Sequence, residues 1–440
     1  METSLPVSDK LACKPPKKNF LARLGPGLIT GASDDDPSGI GTYSQAGAQY
    51  GFGLLWTMLL SLPLMASIQE VSARIGRITG RGIAGNIRRH YPGWLLYPVV
   101  FLLVLANTIN LGADIGAMGD ALALLIDGPA LLYAALFAVA CVMLQIFASY
   151  PRCSKVFKWL TLVLFSYVAT VFFVHVPWRE ALRGTVLPAV KFDGGYFSMF
   201  IAILGTTISP YLFFWQASQE TEEIRVSPEE QPLKVAPEQA REQFSRIRLD
   251  TYLGMAVSNI VAFFIILSAA VTLHAAGITQ IETSSQAAEA LRPLAGRLTF
   301  TLFALGIVGT GLLAVPVLAG SAAYAVGEAL KWPTGLDRKP LDAKGFYGVL
   351  TVATLLGLAI NFPAVQRHIH LSPVQALFWA AVVNGVVAVP IMVVMMLMCH
   401  NKKIMGQYTR ISKTLRLMGW LATVVMTSAA VGMFLTWKQS

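Results

Sequence analysis

The sequence predicts an all-α polytopic membrane protein. It is built of two five-helix halves inserted with opposite orientation, followed by an eleventh span, with the first and sixth helices broken at the midplane. Three observations carry this. The 440 residues are 55% hydrophobic and only 13% charged, with mean hydropathy +0.59, where a soluble domain carries about 25% charged residues. Eleven stretches are apolar enough to cross hydrocarbon at about 20 residues each. Two of them are interrupted by Asp36-Pro37 and Ser209-Pro210, 173 positions apart.

The elements follow in order. Within residues 1–24, Met1 to Lys18 is polar, with "CKPPKKNF" just before the first span. This start reads as a cytoplasmic tail rather than a secretory signal. The first half, 25–176, holds spans near 25–48 (interrupted), 51–75, 93–119, 129–148 and 155–176. The second half, 177–399, holds spans near 195–219 (interrupted), 248–274, 297–327, 345–362 and 372–399. A linker and an eleventh span near 417–437 complete the third segment, 400–440. The longest hydrophilic stretch, 220–248, mixes acids, bases and prolines and reads as a partly helical cytoplasmic connector.

Charge sets the orientation. Of the 34 Lys and Arg residues, 27 fall on one side if the N-terminus is cytoplasmic; the other side receives Arg179, Arg183, Lys191, Arg292, Arg297, Arg367 and Lys438. Basic residues concentrate in cytoplasmic loops beside anionic lipid, so the N-terminus is expected inside and the C-terminus outside, in a plasma (inner) membrane. The net charge of +10 does not gather into a basic domain, which excludes a nucleic-acid partner. Cys13, Cys141, Cys153 and Cys399 avoid the extracytoplasmic loops in this topology, so no disulfide framework is implied.

A break in a membrane helix survives only where protein or a wet cavity satisfies the freed backbone groups. Pro37 lacks an N–H and clashes with the preceding turn, and Gly39 tolerates unusual dihedrals, so span 1 should unwind around 34–39. Ser209-Pro210 does the same to span 6 after Gly205-Thr206-Thr207. Broken helices at matching places in inverted halves point to a midplane site in a transporter. The exposed carbonyls, the carboxylate of Asp36 and the hydroxyls of Ser38, Thr206 and Ser209 form a hard oxygen site suited to Mg²⁺, Ca²⁺ or Mn²⁺. A charge held there costs about 2.5–3.5 kcal/mol or more, which a bound cation would offset. Thr206 and Ser209 have the alternative of bonding back to their own helix. Asp34 and Asp35 read as vestibule lining or caps.

Further polar residues lie within the spans. Asn107, Asn110 and Asp114 share one face of span 3. Asn107 reads as interhelical glue, worth about 0.6 kcal/mol per contact, and Asp114 as part of an ion path near the outer end. Glu70 and Arg74 are spaced to pair at i, i+4. Gln45 and Ser218 are candidates to face a cavity. "HIH" at 368–370 reads as a solvated loop, and runs such as "IMVVMMLM" as packing bulk.

The stretch "GPGLITGASDDDPSGIGTYSQAGAQYGFGLLW" is similar to the first-helix signature of the Nramp divalent-metal transporters, Asp-Pro-Gly-Asn followed by Gln-Ala-Gly-Ala. "NKKIMG" at 401–406 resembles that family's loop after helix 10, and the likeness runs from Phe20 to the last span. The resemblance implies a LeuT-type inverted-repeat fold, inward transport of divalent metal, and metal binding by Asp36. The departures from the family pattern are specific. Its binding asparagine falls at Gly39. Its Met-Pro-His of span 6 appears as Ser209-Pro210-Tyr211, with Thr206 as the small residue three before. Its two acidic positions of span 3, tied to proton movement, fall at Asn110 and Ala113. A lost thioether removes the soft ligand that favours transition metals, and this pattern resembles the Nramp-related magnesium transporter branch. By the same resemblance Asn384 of span 10 lines the cavity, although a lone intramembrane asparagine also serves as glue.

The expected metal ligands are therefore Asp36, Gly39, Thr206 and Ser209, with Asp114, Asn110, Tyr211 and Asn384 along the path. The expected activity is carriage of a divalent cation into the cytoplasm by alternating access, Mg²⁺ favoured and Mn²⁺ carried as well, with weak or no proton coupling. The partners are the metal ion and the bilayer; the chain is expected to be monomeric and to need no cofactor. The alternatives are a proton-coupled Mn²⁺/Fe²⁺ transporter of the same family and a Na⁺-coupled organic solute transporter of the same fold. Asp36 opposes an anionic substrate, which would want a helix N-terminus without a carboxylate. No HExxH, no GxSxG and no carboxylate pair beside an intramembrane histidine argues for an enzyme.

Overall fold

The computed structural model describes residues 26–147, 165–369, 371–409 and 412–436, and they are all-helical apart from turns and loops. The tail 1–24 lies outside the described residues, as do residues 155–164 of the fifth apolar segment. The main helices are α1 (Pro26–Asp34), α2 (Pro37–Tyr50), α3 (Trp56–Thr79), α4 (Ile83–His90), α5 (Gly93–Ala123), α6 (Ala130–Phe147), α7 (Phe165–Thr170), α8 (Trp178–Val186), α9 (Gly194–Thr207), α10 (Pro210–Val226), α11 (Ala240–Ala269), α12 (Thr299–Leu330), α13 (Lys344–Ile360), α14 (Pro373–His400) and α15 (Lys413–Thr436). Among the described residues seven helical stretches are long and apolar enough to cross a membrane; α2 and α3 add an apolar pair bent by 108°.

Both breaks fall where proline chemistry puts them. A residue before proline is pushed from the α region into extended backbone. Asp36 has φ −70°, ψ 169°, and Ser209 has φ −79°, ψ 133°. Pro37 and Pro210 each open the next half-helix at its first position, where a missing N–H costs nothing. At the far end of α2, Gly51 takes φ +56°, a value that a side chain would strain. The chain thereby enters the turn Gly51–Leu54 and reverses into α3.

The broken pairs stand at the centre. α1 packs on α11, α2 on α11 and α14, α9 on α14 and α15, and α10 on α3 and α12, while α5 lies against α12, α13 and α14. The apolar window of α9–α10 is 89% buried and that of α6 only 22%, so α6 faces the surroundings and the broken span does not. The close approaches are bought with glycine. A Cβ on Gly31 would sit 2.3 Å from the Gly254 carbonyl carbon, and one on Gly205 2.1 Å from the Ala381 oxygen. The hydrophilic connector is shorter than its polarity suggests. Helix continues to Val226 and resumes with α11, with a short turn at Pro237–Gln239 between them.

Candidate functional site

Asp36 caps α2 from the break and is 2% exposed. Its Oδ1 accepts from the Gly39 N–H and from Ser38 Oγ, each at 2.7 Å. Its Oδ2 accepts from Asn110 Nδ2 at 3.0 Å and Tyr211 OH at 3.2 Å. The Tyr211 hydroxyl also lies 3.0 Å from the Ser33 carbonyl, so its single hydrogen serves the carboxylate or the end of α1. Four neutral donors from α2, α5 and α10 thus surround one buried anion. Among the described residues no lysine, arginine or histidine is ion-paired with it.

The other sequence candidates divide. Gly39 is in place beside Asp36; a Cβ there would meet Tyr43 Cε2 at 3.3 Å and both the Asp34 carbonyl and Asp36 Oδ1 at 3.5 Å. Tyr43 stands between Gly39 and span 6, its hydroxyl accepting from Thr206 Oγ1 at 2.9 Å. Ser209 Oγ turns back into α9, within 2.7 Å of the Gly205 carbonyl and 2.8 Å of that of Thr206, the latter being the carbonyl whose helical donor Pro210 lacks. Asn110 and Tyr211, expected along the path, bond directly to Asp36. Asn384 is fully buried, and neither side-chain polar atom has a hydrogen-bond partner. Asn107 donates to the Leu318 carbonyl and Ser321 Oγ across α5 and α12, as expected for glue. Glu70 and Arg74 pair at 2.5 Å.

Several features escaped the sequence. Ser258 Oγ lies 2.7 Å from Asp34 Oδ2 and 3.1 Å from Asp35 Oδ1, tying α11 to the break; a lone serine in an apolar helix was the only available signal. Asp250 Oδ2 accepts from the Gly27 N–H at 2.6 Å, near the start of α1. At the end of the molecule that carries the basic loops, Arg77 and Glu220 are both fully buried, 3.8 Å apart. Arg77 also reaches Glu230 at 2.5 Å, while Arg246 reaches Glu220 at 2.5 Å and Glu223 at 3.2 Å. This lattice locks α3, α10, α11 and the 227–239 loop together. Outside it, burial and the neighbouring Arg89 and Arg81 hold Lys234 below the usual lysine range, the mark of an unneutralised basic surface.

The opposite end is open. A cavity of about 500 Å³ is lined by Gln45, Gln49, Gln280, Gln375, Phe378 and Trp379, among others, with no charged side chain in its wall. Gln45 holds the rim by donating to the Thr279 carbonyl and accepting from the Ile281 N–H. Ser218 lies elsewhere, donating to Glu328 at 3.3 Å. Asp36 is therefore shut off from both ends, by side chains below a neutral vestibule and by an ionic lattice at the basic end.

The sequence model of the family described as "Natural resistance-associated macrophage protein-like" (Nramp) matches residues 27–436. The chain belongs to the Nramp family. Among relatives of this Nramp protein is the "Divalent metal cation transporter MntH" of Klebsiella pneumoniae (strain 342), 26% identical over 423 residues, which are 94% of this chain and 93% of that one. Its backbone resembles the crystal structure of the Eremococcus coleocola manganese transporter mutant H236A with a TM-score of 0.75 at 17% identity, covering 95% of this chain and 87% of the other. It also resembles MhsT in complex with L-phenylalanine, with a TM-score of 0.61 at 15% identity, covering 93% and 98%. The fold is the LeuT type, and the protein is a multi-pass membrane transporter by family.

Proposed function

We propose that this Nramp protein carries a divalent metal cation into the cytoplasm by alternating access, with Mg²⁺ favoured, Mn²⁺ carried as well, and weak or no proton coupling. One observation carries the reading: at the crossing of the two breaks the Asp36 carboxylate is buried and ringed by neutral donors, with no basic side chain paired to it among the described residues. Asp36 supplies the charge, with backbone oxygens at the end of α1 beside it. Gly39 brings no side-chain ligand, and span 6 lacks the thioether that would select softer metals; the Thr206 and Ser209 hydroxyls, bonded here to Tyr43 and to α9, would have to turn to ligate the ion. Mg²⁺ dehydrates reluctantly and keeps several waters, which such a site suits. Asn110 and Ala113 cannot carry protons. The basic end is taken as cytoplasmic, so the N-terminus lies inside and the C-terminus outside in the plasma membrane, and one chain suffices for a complete path.

The second reading is a proton-coupled Mn²⁺/Fe²⁺ transporter of the same family, manganese being the metal named for the Eremococcus coleocola transporter. Liposome uptake with Mg²⁺, Mn²⁺ and Ca²⁺ in competition, with internal pH recorded, separates the two. Asp36→Ala is expected to abolish uptake while the protein still folds, and unchanged uptake refutes the site. Internal acidification in step with metal influx replaces the first reading with the second.

A further inference from the structure

Asp34 and Asp35 share the Ser258 hydroxyl of α11 and Asp36 has four donors; Asp114, across from them on α5, is the carboxylate at the crossing with least support. It is fully buried on α5, one turn beyond Asn110. Neither of its oxygens has a donor in hydrogen-bonding geometry, although the Ser38 N–H is directed at it and Asp36 lies within electrostatic reach. Ser38 faces both acids, since its hydroxyl donates to Asp36 Oδ1. Among the described residues no lysine, arginine or histidine is ion-paired with Asp114. Burying a carboxylate with no ion-pair partner is unfavourable, and a cation beside Asp114 would offset that cost.

The cavities place it on a route. Below the vestibule lies a void of about 10 Å³, lined by Ile40, Gly41, Ala117, Phe303, Val374 and Leu377 among others, which is room for about one water. Val374 borders both the void and the vestibule. Ala117 is one turn from Asp114 on α5, and Ile40 is two residues from Ser38 on α2. The order from the vestibule inward is amide-lined cavity, apolar seal, Asp114 and Ser38, then Asp36.

We propose that Asp114 is the second anionic ligand of the transported ion and the first carboxylate that an ion from the vestibule meets. This rests on the reading of Asp36 as the metal carboxylate and adds to it a criterion of valence. Two carboxylates neutralise a hard divalent cation. A monovalent cation between them leaves a net negative charge in low dielectric, where interactions between charges are strong, and is disfavoured. Ser38 lies between the two acids, so an ion can pass from one to the other without leaving oxygen contact.

The test uses the purified full-length protein with Mn²⁺ as probe, binding read by titration and by electron paramagnetic resonance, and Na⁺ as competitor. Asp114→Asn is expected to weaken Mn²⁺ binding at least tenfold and to let Na⁺ compete. Asp114→Glu keeps the charge and is expected to change the spectrum of bound Mn²⁺, which makes the test independent of whether the asparagine variant folds. Asp114→Asn with unchanged affinity, or Asp114→Glu with a spectrum identical to wild type, overturns the proposal and leaves Asp36 untouched. If wild type binds no Mn²⁺, or Asp36→Asn binds it normally, the reading of Asp36 falls first and this proposal with it.

Discussion

Glu220→Gln probes the closure at the basic end. Glu220 is fully buried, 2.5 Å from Arg246 and 3.8 Å from Arg77. Glutamine keeps the size and one acceptor for Arg246 but removes the charge. Arg77, itself fully buried, is left with Glu230, which is 24% exposed, and Arg246 with Glu223. Removing one partner of a buried ion pair costs about 3–5 kcal/mol. The two remaining acids put this case at the low end, about 3 kcal/mol, or roughly a hundredfold in the ratio of closed to open forms at about 1.4 kcal/mol per decade. The reporter is Thr251→Cys in a protein whose four native cysteines are serine. Thr251 is fully buried and accepts from Gln216 Nε2, so it lies where α10 meets α11. Its labelling by a membrane-impermeant thiol reagent applied at the basic end should accelerate by about two orders of magnitude. Glu230→Gln, removing a partly solvated partner, should do less. A lower melting temperature with an unchanged labelling rate refutes the argument, because the lattice would then stabilise the fold without gating it.

Two further outcomes follow from packing. Gly205→Val should destabilise the protein by about 1–3 kcal/mol through overpacking, since its Cβ would press on the Ala381 oxygen and on Gly385; a thermal melt equal to wild type shows that α9 and α14 separate easily. Leu377→Ala removes a side chain that lines the apolar void and sits 3.0 Å from the Cβ position of Gly41, and bound Mn²⁺ should then escape faster toward the vestibule. An unchanged off-rate places the seal elsewhere.

The breaks were legible because their cause is local. Proline fixes its own backbone and that of its predecessor wherever the helix lies, so both half-helices begin at the prolines the sequence marks. Asp36 was legible as the member of the Asp34–Asp36 run that directly precedes the proline break. The placement of Asn110 and Tyr211 on its Oδ2 was not, because that depends on how α5 and α10 rotate against the break, and the sequence supports only a position on the path. Ser209 left two readings open, and its turn into α9 lies at the break where Pro210 leaves the Thr206 carbonyl without its helical donor. The lattice at the basic end was out of reach. Arg77 and Glu230 lie 153 positions apart, and the acids near 220 looked like a solvated connector until tertiary packing buried them.

The contacts of Asp36 Oδ2 join occupancy to movement. This oxygen holds Asn110 of α5 and Tyr211 of α10, and Tyr211 also touches the Ser33 carbonyl of α1. The same atom thus carries the charge a cation seeks and the bonds that fasten the broken span to its neighbours. Hydrogen bonds to a charged group are worth about 1.5–3 kcal/mol each. An ion that takes this oxygen replaces two of them and frees the Tyr211 hydrogen for Ser33 alone. If Asp36 holds the ion as proposed, binding energy would go into loosening α2 from α5 and α10 rather than into affinity. A ligand shifts a conformational equilibrium only by its differential affinity for the two states, and the exchange at Oδ2 supplies that difference. A tighter cage built from extra fixed ligands would hold the ion better and move the helices less.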